Sequence, residues 1–256
     1  MSFRDAALSF EMVPGPGSGR QFTARRRVRL GDATPNGRLR LDAVARYLQD
    51  VSNDDTRDAD WSDPHWWVVR RTVIDVHEFP QYLQEIDLVT WCGGTGSHWA
   101  ERRTSIRSID GKPLIDAASL WVHVDEATLQ PSKVPADIKS LLSVSAGDRE
   151  VNARLLLRDK LFAAHTDELQ RPWPLRFADF DAVGHMNNAA YWVMVEEHLA
   201  EHRDVRAPLR AIVEHVVQVE PGQQPIRCTP PSGDDLEMQL RVGDTMHSAM
   251  WCGVTP

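Results

Sequence analysis

A chain of 256 residues, 42% hydrophobic and 26% charged, has the make-up of a folded globular protein and excludes a disordered, collagenous or coiled-coil chain. Its length suits one large domain or two of about 130 residues, each big enough to bury a core of its own. Twenty-nine basic against 37 acidic residues leave a net charge of −8, which argues against general nucleic-acid binding because that needs a basic field.

Taken in chain order, Met1 to Phe10 carries Arg4 and Asp5 and lacks an apolar signal core. Residues 12–20 read Met-Val-Pro-Gly-Pro-Gly-Ser-Gly-Arg; Pro14 and Pro16 stand where a dinucleotide-binding loop would need a strand and a turn, so Gly15, Gly17 and Gly19 predict a flexible arm over 1–23 and no phosphate cradle. Arg25, Arg26, Arg27 and Arg29 follow as a basic cluster. Leu41, Val44, Ala45, Leu48 and Val51 share one helical face. Strand-like runs come next at Trp67–Val76, Ile86–Trp91, Trp99–Ser108 and Leu114–Val124, the last pair joined by the tight-turn dipeptide Asp110-Gly111. Gly93, Gly94 and Gly96 lie between two strands and predict a bulge or hairpin. Trp66, Trp67, Trp91, Trp99 and Trp121 read as core or interface residues. The stretch 131–171 reads as a surface linker, with a helix near Ile138–Leu142 and charged helical patterning at Glu150–Leu161.

The pattern then repeats. Arg29-Leu-Gly-Asp32-Ala-Thr34-Pro-Asn36-Gly37-Arg38 lies over Arg176-Phe-Ala-Asp179-Phe-Asp181-Ala-Val183-Gly184-His185 at an offset of 147 residues, and each copy precedes a helix pattern. In the second copy Tyr191, Met194, Val195 and Leu199 share the face, and Ile212–Val219, a short run near Ile226, Leu236–Val242 and Met246–Val254 read as strands around a Gly243-Asp244 turn. Each half is thus a loop, a long helix and about four strands, an α+β arrangement in which an antiparallel sheet wraps a helix. The expected division is an arm over 1–23, a domain over 24–130, the linker, and a second domain over 172–256.

Arg176 to Glu197 holds the chemistry: a carboxylate at Asp181, a sharp turn at Gly184, and His185 just before a helix. A helix N-terminus offers unpaired N–H groups that polarise a carbonyl oxygen and stabilise the oxyanion formed when it is attacked. A nearby carboxylate can act as nucleophile or activate water, and a histidine can carry the proton. The same residues also admit a plainer reading, with Asp179 or Asp181 capping a turn or helix and Asn187 and Asn188 satisfying local backbone groups. No third ligand stands beside the Asp–His pair at metal-binding spacing. Cys92, Cys228 and Cys252 contain no CxxC, so neither a disulfide framework nor a zinc site is expected; with no apolar run long enough to span a membrane, the chain is placed in the cytoplasm.

The run Asp181-Ala-Val-Gly-His185-Met-Asn187-Asn188 with Tyr191 resembles the signature of acyl–acyl carrier protein (ACP) thioesterases, which consist of two tandem hotdog folds. Trp67-Val-Val-Arg-Arg, the Phe79-Pro80 corner, Leu88-Val-Thr-Trp91, Ala100-Glu-Arg-Arg103, Asp110-Gly111 and Ser119-Leu-Trp121-Val122 follow in family order, so the resemblance covers roughly residues 24 to 256. It implies a tandem double hotdog, with the acyl chain housed largely in the first half, and hydrolysis of a fatty acyl thioester on the phosphopantetheine arm of ACP. It also implies catalysis in the second half and neither cofactor nor metal.

By position, the family's Asp falls on Asp181 and its His on His185; its Asn falls on Val183, its downstream Glu on Gln218 and its Cys on Val219, with Glu220 reachable by a register slip. The expected site therefore has Asp181 as base or nucleophile, His185 managing water or the leaving-group proton, and Gln218 positioning water. Gly184, Met186, Asn187 and Asn188 would hold the thioester, with backbone amides of Gly184–Asn187 on its oxygen. Thr34, Asn36 and Arg38 replace the acid and histidine in the first half, which predicts one site per chain; Asn36 could still contribute across the pseudo-twofold interface. The Arg25–Arg29 cluster, like Arg102, Arg103 and Arg107, fits either a solvated strand or a docking patch for the acidic ACP. A monomer or homodimer is expected. Two rivals remain on the sequence: hydrolysis of acyl-coenzyme A, and an acyl-thioester binder weakened at Val183 and Gln218.

Overall fold

The computed structural model describes residues 3–60, 66–157, 169–202, 204–230 and 235–255. Ten strands form one antiparallel sheet: β1 (Gln21–Arg27), β2 (Trp66–Val76), β3 (Glu85–Thr95), β4 (Trp99–Ser108), β5 (Pro113–Val124), β6 (Leu169–Pro172), β7 (Leu209–His215), β8 (Ile226–Thr229), β9 (Leu236–Val242) and β10 (Thr245–Val254). Their spatial order is β1-β3-β4-β5-β2-β7-β10-β9-β8-β6. Read inward from either edge the two halves match, with β2 and β7 meeting at the centre. There Val73 pairs with Ile212, and on either side of it Arg71 faces Glu214 while Asp75 faces Arg210. A charge pair and its mirror on either side of one central pair is the signature of a twofold axis, where residue i meets j and the equivalent of j meets the equivalent of i.

Two long helices lie across the sheet, α2 (Leu41–Asp58) and α4 (Tyr191–Glu201). The periodic residues Leu41, Val44, Ala45, Leu48 and Val51 are buried, as are Tyr191, Met194, Val195 and Leu199, and both sets join one core with Ile74, Leu88, Ala211 and Met250. A helix stripe that size is stable only against such a layer, and the sheet supplies it from both halves. The molecule is a tandem double hotdog of the α+β class.

Several expected elements differ in detail. Strand β1 carries Arg25, Arg26 and Arg27 and pairs with β3, so the sheet takes in part of the expected flexible arm. Ahead of it, α1 (Phe3–Leu8) is docked on the sheet, with Ala6 and Ala7 buried, and Arg210 Nη1 donates to the carbonyls of Ala7 and Phe10, each at 2.7 Å. The Phe10 ring sits under the guanidiniums of Arg71, Arg103 and Arg210 at 5.0, 5.2 and 5.9 Å, which holds the arm by cation–π attraction.

In the linker, α3 (Ala136–Ala146) covers the expected helix and packs on β3. The helical patterning at 150–161 is not realised over 150–157, where the backbone is committed elsewhere: Val151 N donates to Thr95 O, and the amides of Leu156 and Leu157 donate to the Glu214 carboxylate. Residues 158–161 lie outside the described residues. Gly93 is the extra residue of a bulge in β3 between Cys92 and Gly94, and a Cβ on it would stand 2.4 Å from Arg103 Cγ. Trp91 is buried, and the Trp99 indole N–H donates to Val151 O at 2.7 Å, tying the linker to β4.

The run expected as a strand to Val219 stops at His215. The amides of Val216 and Val217 both turn onto His247 O, beside the register shift at Met246/Ser248 in β10, and His247 Nδ1 meets Gln218 O at 3.0 Å. Gln218 and Glu220 consequently lie beyond the strand.

Candidate active site

The signature segment folds as a compact turn. A 3-10 turn at Phe177–Asp179 leads into a loop in which Asp181 N donates to His185 O at 3.1 Å and Gly184 N to Asp181 O at 3.0 Å. Gly184 has φ +89°, a backbone region open to glycine and strained for other residues. Nothing lies within 4 Å of where its Cβ would be, so the requirement is conformational, not spatial. Gly184→Ala is therefore expected to lower stability by about 1–2 kcal/mol through backbone strain alone, measurable as a lower melting temperature.

The chain then turns into α4. Asn187 Oδ1 accepts from Ala189 N at 2.8 Å, capping a short 3-10 turn at Asn188–Ala190 that runs directly into the helix. Tyr191 packs edge-on against His215 of β7 with ring centroids 4.7 Å apart, and burial pushes the Tyr191 phenol up to about 12 and the His215 imidazole down to about 3. Met186 N donates to Val219 O at 3.0 Å, which fixes the segment holding Gln218 beside the turn.

These bonds separate the two aspartates. Asp179 is buried, accepts from Arg176 N at 2.7 Å and Arg176 Nη2 at 2.7 Å, and its carbonyl accepts from Asn187 N: it is the structural cap. Asp181 is half-buried. One carboxylate oxygen accepts from Val183 N at 3.0 Å and the other from Asn187 Nδ2 at 3.2 Å. Asn187 is held by its cap bond, so it orients Asp181 although position 183 carries no polar side chain; the Val183 side chain itself is exposed.

The amides expected to hold the thioester oxygen are largely committed. Gly184 N, Met186 N and Asn187 N donate to Asp181 O, Val219 O and Asp179 O. Among the described residues, the amides of His185 and Asn188 are the ones in this stretch with no protein acceptor. Gln218 is exposed, and it is its carbonyl that meets His247, so no described bond joins its side chain to Asp181.

Asp181 and Asn187 line a cleft of about 1540 Å³ between the halves, together with Asp32, Asn36, Arg38, Tyr47 and Gln49 from the first. His185, Gly184, Met186, Asn188 and Gln218 are not among the residues that line it. The backbone bonds within the turn have counterparts 147 residues earlier: Thr34 N donates to Arg38 O, Gly37 N to Thr34 O and Arg40 N to Asp32 O, and Gly37 has φ +85°; the side-chain bonds on Asp181 have none, and Thr34 Oγ1 is buried without a partner among the described residues. In the first half the place of His185 is taken by Arg38, whose guanidinium lies 4.4 Å from the Phe79 ring centroid and forms two hydrogen bonds to Glu196 of α4 at 2.6 and 3.2 Å. Glu196 Oε2 also accepts from Leu41 N at 3.0 Å, capping α2 from the opposite half. The contact of Glu196 with Arg38 and Leu41 is not legible in the sequence, because it depends on the helix pair.

Five members of the basic clusters are neutralised by acidic neighbours. Arg25 forms a bidentate pair with Asp87, Arg26 pairs with Asp54 and Arg27 with Glu85, while Arg102 holds Asp55 and Arg103 holds Glu101. Elsewhere His198, Glu201 and His202 cluster at the end of α4, but Arg171 and Arg227 lie 3.6 and 3.8 Å from the Glu201 carboxylate and already offset the charge a metal ion would need.

The model of the acyl-ACP thioesterase N-terminal domain matches residues 19–142, and that of the C-terminal domain matches residues 163–245. The chain is 32% identical over 248 residues to an uncharacterised protein of Mycobacterium tuberculosis, covering 96% of each. It is 27% identical over 139 residues to a chloroplastic acyl-[acyl-carrier-protein] hydrolase of Cuphea viscosissima, spanning 50% of this chain and 32% of that protein. Among solved structures, an acyl-ACP thioesterase from Bacteroides thetaiotaomicron superposes with a TM-score of 0.76 at 16% identity, covering 98% of this chain and 99% of that one. The 12:0-ACP thioesterase from Umbellularia californica superposes with a TM-score of 0.72 at 18% identity, over 91% and 96%. These superpositions establish the shared fold. No helix among the described residues is long and apolar enough to cross a membrane.

Proposed function

As the chain belongs to the acyl-ACP thioesterase family, we propose that it hydrolyses the thioester of a fatty acyl group carried on ACP, releasing the fatty acid and the carrier thiol. The observation that carries the reading within this chain is the Asp181 carboxylate, oriented through both oxygens and facing the cleft between the two halves. Each oxygen spends one lone pair on its holding bond and keeps another for a proton, which suits a general base acting on water.

In this mechanism Asp181 takes a proton from water as the water oxygen bonds to the carbonyl carbon. The carbonyl oxygen gains negative charge, and the Asn188 amide at the start of the helix, favoured by the helix dipole, stabilises it. The tetrahedral centre collapses, the C–S bond breaks, and the proton returns to the departing sulfur by way of His185. Gln218 fits the role of positioning water: its counterpart across the pseudo-twofold is Phe79, which touches Arg38, the counterpart of His185. Gly184, Met186, Asn187 and Asn188 shape the thioester end of the site. One chain holds both hotdogs, so a monomer suffices, and the cytoplasm suits a chain whose cysteines are all free and buried.

The test is thiol release from a chain-length panel of acyl-ACPs beside the matching acyl-coenzyme A substrates. Release favouring the carrier protein is the expected result, whereas equal or better release from coenzyme A would reassign the substrate. Saturable binding without release would make the protein a binder, the reading that the exposed Val183 in place of a polar side chain favours.

A further inference from the structure

We infer that Gln49, on the helix of the first hotdog, completes the active site of the second by donating its side-chain amide to the thioester oxygen; this rests on the hydrolase reading above. The central strands are related isologously about Val73 and Ile212, so a contact made from the second half to the first implies its mirror. The backbone bonds of the two turns match at an offset of 147 residues, and the helices keep that register: buried, half-buried and exposed positions coincide from Val44/Tyr191 to Asn53/Ala200 except at the pair Gln49/Glu196, where Glu196 is the more buried.

Among the described residues, the hydrogen bonds from α4 to the first half's turn and helix start are those of Glu196. Its carboxylate lies between Arg38, at the place of His185, and the amide of Leu41, at the place of Asn188. The residue 147 positions before Glu196 is Gln49. Its mirror position is therefore between His185 and the Asn188 amide, and it is half-buried and lines the cleft that holds Asp181.

The chemical difference between the two halves is informative. In the first, a carboxylate occupies the helix N-terminus and satisfies Leu41 N, so that site is filled by the protein's own oxygen. In the second, the amide of Asn188 has no protein acceptor among the described residues, and the residue at the mirrored position is a neutral amide that can donate. Two donors, Asn188 N–H and Gln49 Nε2–H, then address one space in which an anionic oxygen of the kind Glu196 supplies would be welcome. The tetrahedral oxyanion is such an oxygen. A glutamate at 49 would fill that space as Glu196 fills its own.

The experiment measures kcat and KM on acyl-ACP, with melting temperatures, for Gln49→Met, Gln49→Ala and Gln49→Glu. Methionine keeps the volume and removes the donor. Both Met and Ala variants should lose about 100-fold in kcat, with KM little changed, as expected for one oxyanion donor. The Glu variant should lose at least as much. If Gln49 merely packed, methionine would restore kcat to the wild-type value, and that result would overturn the inference while leaving the hydrolase reading intact. A wild-type protein that releases no thiol from any acyl-ACP would instead overturn the hydrolase reading and this inference with it.

Discussion

Asp181→Asn should cut thiol release by about a thousandfold or more while the protein stays folded. A positioned acid–base group typically contributes 10²–10⁴-fold, and no other carboxylate stands in the signature turn to take over, since Asp179 is consumed by Arg176. The substitution is close to neutral for the fold. The new side-chain oxygen can still accept from Val183 N, preserving the turn. What is lost is the bond to Asn187 Nδ2, because Asn187 cannot flip without giving up its cap on Ala189 N. One lost hydrogen bond of this kind costs about 1 kcal/mol. Parallel measurement of turnover and melting checks both halves of the expectation, and near-normal turnover would remove Asp181 from the chemistry.

Glu196→Ala is expected to be the most damaging of these changes for stability, by about 3 kcal/mol. It strands the Arg38 guanidinium and leaves Leu41 N without its acceptor at the start of a buried helix. Removing one partner of a buried ion pair costs about 3–5 kcal/mol; Arg38 keeps a quarter of its side chain in solvent, which discounts that figure, and the orphaned amide adds back about 1 kcal/mol. Chemical denaturation of the variant checks the magnitude. Because the pair joins α4 to the first half's turn, a loss below about 0.5 kcal/mol would mean that the halves are held together without it.

The sequence makes the architecture legible because the repeat is carried by local physics. Glycine at 37 and 184 is needed for a positive φ, and the helix stripe and the period-2 strands report burial directly. Boundaries fail where a tertiary partner decides. Val216 and Val217 have strand-forming side chains, yet His247 O captures their amides and ends β7 early. Arg25 to Arg27 look like a basic field until their acidic partners on β3 and α2 are in place, and Phe10 gives no hint that three guanidiniums surround it. In the site, Asp181 and His185 are visible from their spacing, and the split between Asp179 as cap and Asp181 as free acid is not, because it depends on which one Arg176 grips. Glu196 and Gln49 are invisible in a linear reading: each acts on the half of the chain that does not contain it.

The β2–β7 pairing at the centre of the sheet has a consequence for how the chain unfolds. Six residue pairs, Arg71 with Glu214 through Val76 with Leu209, close the one seam between two five-stranded pieces. Cutting the protein there would turn β2 and β7 into exposed edge strands of mostly buried residues, each an open template for pairing with other chains. The two hotdogs are therefore not modules that can be handled singly. They share one sheet and one core, so heat or denaturant meets a single cooperative unit, and a lesion in either half is felt as loss of the whole.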